Sequence, residues 1–307
     1  MVQPGTTGFR PLTGVCEPSG IHQLADGRFI VVEDEVQHAL SLLRITAGGV
    51  SRRELQAPFW SWGDDGFWKL DDLEGVTGDQ AGHIYAITSH SRDSDGEEHK
   101  SRERLVRFRI KGDSVHQPKV VGSLKRALTA AHPLLAIAAE KRQVKKDGGL
   151  NIEGLAMSAD QRRLLIGLRS PLLGGQAIVA SLDNPCAVFD DDAEPRIASE
   201  LVALDLGGNG IRGMSYVPFL AGYLLIGGPV ARQPRPFELW FWNGDPEWRP
   251  RRVSVAGLAG FGRAEGITAA LIEGRQRIVM VSDDGSRAEG RDAHYLILRP
   301  DELLIED

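Results

Sequence analysis

Five times along the 307-residue chain, a short element places a charged residue beside apolar and small neighbours. The charged members are Glu17 in CEPSGI, Glu74 in LEGVT, Glu153 in IEGLAM, Arg212 in IRGMSY and Glu265 in AEGIT. Glutamates gathered in this number repel one another unless a cation, bound protons or arginines compensate. An oxygen-rich set suits a hard divalent cation, Ca2+ ahead of Mg2+, rather than zinc. With Asp283 added, Glu17, Glu74, Glu153 and Glu265 form the expected metal-ligand set. The same glutamates also suit structural locking, each accepting backbone N–H groups from the next unit. Arg212 breaks the acidic pattern, and either pairs with a neighbouring glutamate or offers its guanidinium fork to an anionic substrate. Arg169 shares that expectation, and His90 is the histidine placed for general acid–base work. Arg92, Ser89 and Asp34 complete the expected site as substrate-binding residues.

These residues need a scaffold that brings them to one face, and the chain supplies it by repetition. Successive elements are 57, 79, 59 and 53 residues apart. Each is followed by a turn and an apolar run: FIVV, IYAIT, LLIGL, YLLIG or RIVMV. Short runs rich in β-branched and aromatic residues read as buried strands. A third strand candidate follows in each unit (LSLLRI, LVRFRI, AIVASL, FELWFW, YLILR), and weaker fourth candidates include Ser51–Gln56 and Arg252–Val255. Repeated antiparallel units of about 60 residues predict an all-β chain, a single β-propeller of five blades with six as the rival count. In an antiparallel hairpin the start of one strand and the end of the next share an end. The charged elements therefore meet Asp34, Ser89, His90, Arg92, Arg169 and Asp283 on one face. The segment Gly8–Val15 is expected to close the ring on the last blade, with the C-terminal ELLIE competing for that place.

Composition narrows the classes. A 42% hydrophobic content supports a sizeable core, and 36 glycines point to many turns rather than long helices. A net charge of −6 argues against nucleic acid as partner, which calls for a basic surplus. Cys16 and Cys186 lack the spacing of a disulfide framework or zinc site. Without a long apolar run or a recognisable leader, the expectation is a cytoplasmic monomer that does not enter the membrane. Its expected partner is a small anionic molecule or another protein.

Other features are set aside. GNGIRG at Gly208–Gly213 matches a dinucleotide fingerprint, but the following residues read as strand rather than the required helix. DSDGEE at 93–98 and FDDDAEP from Phe189 read as solvated loops. Phe59, Trp60, Trp62, Phe67 and Trp68 read as outer-strand packing, with a substrate-stacking platform as the alternative, and Trp240 with Trp242 fits the packing account. Residues 125–146, rich in alanine and leucine, predict a helical insertion broken near Pro133, covering one end of the barrel or serving as a lid.

EPSGI with FIVVEDE, LEGVT with IYAITSHSR, IEGLAM with LLIGLRSP, and AEGIT with IVMVSDDG resemble an uncharacterised bacterial β-propeller family. That family is distantly similar to phytase-like, or esterase-like, propeller proteins. The resemblance runs from about Gly14 to Leu298. It implies a propeller and a metal-dependent hydrolase of phosphate esters or lactones. It also implies Glu17, Glu74, Glu153 and Glu265 as channel acids, with Arg169 at the end of a second strand. Arg212 departs from a symmetrical acidic cage. The expected function is metal-assisted hydrolysis of a small anionic ester at the channel mouth; the alternative is a non-catalytic ligand- or protein-binding scaffold.

Overall fold

The computed structural model describes residues 8–35, 39–46, 49–55, 66–231 and 235–306. Alternating buried residues build five antiparallel sheets arranged as propeller blades. Strand β1 (Arg10–Leu12) comes first in the chain but belongs to the last blade. Blade 1 follows with β2 (Pro18–Gln23), β3 (Phe29–Glu33), β4 (Leu40–Thr46) and β5 (Gly49–Glu54). Blade 2 contains β6 (Leu73–Gly78), β7 (Ile84–Thr88), β8 (Leu105–Lys111) and β9 (Ser114–Val121). Blade 3 contains β10 (Asn151–Met157), β11 (Leu164–Leu173), β12 (Gln176–Leu182) and β13 (Val202–Leu204). Blade 4 contains β14 (Gly210–Val217), β15 (Gly222–Gly228), β16 (Glu238–Trp242) and β17 (Arg251–Val255). Blade 5 contains β18 (Ala264–Ile272), β19 (Arg275–Ser282) and β20 (Ala293–Leu298).

Each junction between blades has its own apolar core, because alternate strand residues face opposite neighbours. Ile166 packs towards blade 2, for instance, while the adjacent Leu165 packs towards blade 4. The ring closes as expected: β1 pairs with β20, and the Ala293 amide donates to the Val15 carbonyl. Leu12 and Val15 fill the core between blades 5 and 1. The competing segment instead forms β21 (Leu303–Ile305), a fifth strand outside β17 in blade 4.

The insertion forms α1 (Leu124–Ala131), α2 (Pro133–Ala139) and α3 (Val144–Asp147), with the break at His132–Pro133. Leu124, Leu128 and Leu135 anchor it on the core between blades 2 and 3. FDDDAEP is not simply a solvated loop. Its first residues end α4 (Pro185–Asp190), where Phe189 is buried and meets Tyr85 edge-on. Phe67, Trp240 and Trp242 are buried in packing positions, whereas Phe59, Trp60 and Trp62 lie outside the described residues. Among the described residues, no helix is long and apolar enough to cross a membrane.

Candidate functional site

The charged repeat has a backbone cause. Each inner strand carries a register shift near its start, with Ser19, Glu74, Glu153, Arg212 or Glu265 at the bulge. A bulge breaks strict pairing and re-aims the side chain there. The glycine after it answers a close approach between blades. A methyl group on Gly75 would stand 2.8 Å from Leu155 Cβ, and one on Gly213 only 1.8 Å from the Glu265 carbonyl oxygen. This register corrects the expected ring. Its blade 1 member is Ser19, while Glu17 lies two residues earlier, matching Asp72, Asn151 and Arg263. Matching glycine to glycine, rather than acid to acid, would have revealed Ser19 in the sequence.

The ring is electrostatically lopsided. Arg212 Nε lies 2.7 Å from Glu153 Oε2, without hydrogen-bond alignment, and the other end of its guanidinium pairs with Glu265. Arg169 reaches Glu153 Oε1 at 3.0 Å and donates to the Pro229 carbonyl at 3.1 Å. Asn151 Nδ2 donates to the same Glu153 oxygen at 2.9 Å. These contacts join blades 3, 4 and 5. On the remaining side, Ser19 and Glu74 have no side-chain partner among the described residues.

Above the ring lies a cavity of about 1200 Å³. Its acids are Asp34, Asp72, Glu74, Asp93, Asp95, Glu153, Glu265 and Asp283. Its bases are Arg92, Arg102, Arg142, Lys145, Lys146, Arg169, Arg212 and Arg263. The two sets are equal in number, but burial discharges some of the acids. Burial, with Asp72, Glu17 and Glu265 nearby, pushes Asp34 up to about 7. Asp34 is itself exposed towards the cavity, so solvent moderates that rise. Burial and Glu265 push Asp283 up to about 8, against the opposing charge of Arg263, 3.1 Å away. Burial, then Glu153 and Asp72, raise Glu74 well above the carboxylate range. Burial opposes the charge of Arg212, but Glu153 and Glu265 outweigh it and raise its pKa.

The structure brings together most of the expected residues. Asp34, Glu74, Arg92, Glu153, Arg169, Arg212, Glu265 and Asp283 all line the cavity. Arg92 is already committed to the Ala139 and Gly96 carbonyls and to Glu98. Three expected residues are absent from the lining: Glu17, Ser89 and His90. Ser89 is buried and bonded to Ser91. His90 is fully buried, its Nδ1 is 2.8 Å from the Thr88 carbonyl oxygen, and burial lowers its pKa to about 4. A general acid–base role for His90 has no geometric support here. Residues missed by sequence reasoning include Ser19, Asp72, Asn151, Arg263, Lys145 and Lys146. The last two come from the helical insertion, which therefore overhangs the site.

A divalent cation finds no evident cage in this arrangement. Among the described residues, no three carboxylate, imidazole or thiol groups converge as a ligand set. Arg212 takes the Glu153 and Glu265 carboxylates that a metal would need, and Glu17 stands outside the ring.

A family model described as "Protein of unknown function (DUF3616)" matches residues 69–298. No curated protein matches the chain. Among solved structures, an oxidoreductase of Thermus thermophilus described as a glucose dehydrogenase is 16% identical, with TM-score 0.45, covering 95% of this chain and 100% of its own. The PQQ domain of pyranose dehydrogenase from Coprinopsis cinerea is 9% identical, with TM-score 0.47 and coverages of 96% and 99%. A candidate gluconolactonase is 14% identical, with TM-score 0.41 and coverages of 97% and 83%. Likeness this low transfers no activity to the chain.

Proposed function

We propose, for a chain that belongs to the DUF3616 family, that the cavity binds a small anionic ester and hydrolyses it by carboxyl acid–base chemistry. The carrying observation is one cavity in which burial raises some of the carboxyl groups among as many arginines and lysines as acids. Burial shifts Asp283, Asp34 and Glu74 towards their neutral forms, for Asp283 against the opposing charge of Arg263. The basic set then outweighs the ionised acids, so the cavity attracts an anion.

In this reading the Asp34 carboxylate takes a proton from water as that oxygen bonds to the ester carbon or phosphorus. The ester bond breaks, and the departing oxygen takes the proton of the Asp283 carboxyl. Asp34 is left protonated and Asp283 ionised, and exchange with solvent restores both. Arg169 and Arg263 hold the charge that develops. The resemblance to phytase-like and esterase-like propellers supports the same substrate classes, phosphate esters or lactones.

Two alternatives use the same residues. A non-catalytic binding propeller is favoured by the internal pairing of Arg212 with Glu153 and Glu265. Metal-assisted hydrolysis, with Ca2+ ahead of Mg2+, is favoured by the number of acids in the cavity. The test is hydrolysis of lactones, carboxylic esters and phosphate mono- and diesters at pH 7.5, with EDTA and with added Ca2+. Turnover that survives EDTA and falls about 100-fold in Asp34→Asn and in Asp283→Asn supports acid–base hydrolysis. No turnover of any class overturns the catalytic reading, and turnover abolished by EDTA favours the metal.

A further inference from the structure

Resting on the anion-binding reading above, we infer that the ligand is a polyhydroxylated anion, of the sugar-phosphate or sugar-acid class. Its hydroxyl groups would meet the unpaired side of the ring, and its anionic group the lysines of the overhanging insertion.

The lining selects for hydroxyl groups. Val144 and Ala231 are the only purely hydrocarbon side chains among its described residues, and no aromatic ring is present. Such a wall offers little of the apolar and aromatic surface that most ligand pockets use to bury an alkyl chain. It instead offers hydrogen bonds in both directions. Asn151 supplies an observation independent of the acids. It is 4% exposed, gives its Nδ2 to Glu153, and leaves Oδ1 buried without a partner. A buried acceptor left in this state is costly, and a ligand hydroxyl is a suitable donor. Ser19 and Glu74, on the unpaired side, add a hydroxyl group and a carboxyl that burial favours in its neutral form, each able to donate and accept.

The helical insertion supplies charge to the wall. Lys145 and Lys146 on α3 are exposed, line the cavity and have no side-chain partner among the described residues. Arg142 beside them is spent on Glu97. Asp93 and Asp95 line the same cavity, and Asp93 is bonded to His99, so the two lysines are left for a carboxylate or phosphate. Hydrogen-bonding side chains and unpaired lysines in the wall of one cavity fit one ligand that carries both hydroxyl groups and an anion.

Calorimetric titration of the intact protein with glucose 6-phosphate, glucuronate, glucose, inorganic phosphate and acetate tests this. The two hydroxylated anions are expected to bind at least about tenfold more tightly than the other three. Lys145→Ala/Lys146→Ala is expected to remove the preference over glucose. Ser19→Ala and Asn151→Ala, each checked for an unchanged melting temperature, are expected to reduce the preference over phosphate and acetate. Equal binding of phosphate, acetate and the hydroxylated anions overturns this inference and leaves the anion-binding reading standing. Glucose binding as tightly as the hydroxylated anions overturns the role of the lysines, and binding of no anion overturns both readings.

Discussion

Arg212 Nε stands 2.7 Å from Glu153 Oε2, joining two bulges on adjacent blades, and both side chains are almost fully buried. Breaking a buried pair from one side leaves a charge that costs more than the pair contributed. Arg212→Met should therefore lower stability by about 3–5 kcal/mol, since Glu265 loses its partner and Glu153 keeps only Arg169 of its two arginines. Adding Glu153→Gln and Glu265→Gln to Arg212→Met should recover much of that loss. Urea denaturation of the single and triple variants measures both effects.

Glu74 predicts the opposite behaviour at the same ring position. Burial already favours its neutral form, and a glutamine imitates that form. Glu74→Gln should leave stability unchanged at pH 5 and raise it at pH 8.5. Glu153→Gln should destabilise at both, because it uncouples Arg212 and Arg169. Melting curves at the two pH values separate the two sites.

The raised carboxyls also fix the sign of the pH dependence. Between their unfolded values near 4 and their folded values of about 7 and about 8, Asp34 and Asp283 bind more protons folded than unfolded. Their contribution to stability therefore declines as pH rises through that window and levels off above it. The melting temperature should fall by a few degrees between pH 5 and pH 8.5, and by less in Asp34→Asn/Asp283→Asn. Turnover with Asp34 as base and Asp283 as acid should peak between the two values.

The glycine of the repeat has a steric prediction of its own. In Gly213→Ala the new methyl group meets the Glu265 carbonyl oxygen at 1.8 Å unless the blades separate. Overpacking of this kind typically costs about 1–3 kcal/mol or more. An unfolding free energy equal to the wild type's would show that the junction between blades 4 and 5 yields freely.

The architecture was legible because blades repeat a local pattern. Apolar runs such as FIVV and RIVMV announce strands, and Gly8–Val15 could be recognised as the closing segment from the last blade's missing strand. The site was legible only in part, since it depends on register and on side-chain partners. EPSGI offered Glu17 as the ring acid, yet the bulge falls at Ser19. Arg212 read equally well as an ion-pair partner or a substrate ligand, and distances to two glutamates from neighbouring blades show the pairing. His90 looked available on a polar loop, but its backbone adopts a φ of 56° and its ring is enclosed. Lys145 and Lys146 gave no sign of facing the site, because only packing on Leu124, Leu128 and Leu135 directs the insertion there.

The central claim is that the cavity keeps two aspartic acids titrating near neutrality, and carbon-detected NMR of side-chain carboxyls tests it most directly. A pH titration of the wild type, with Asp34→Asn and Asp283→Asn for assignment, should show Asp signals moving with apparent midpoints of about 7 and about 8. Each variant should abolish one step, and Asp34→Asn should lower the remaining midpoint, since the Asp34 charge helps to raise Asp283. If every aspartate instead completes its titration below about pH 5, as ordinary carboxyls do, the acid–base account of the site is contradicted.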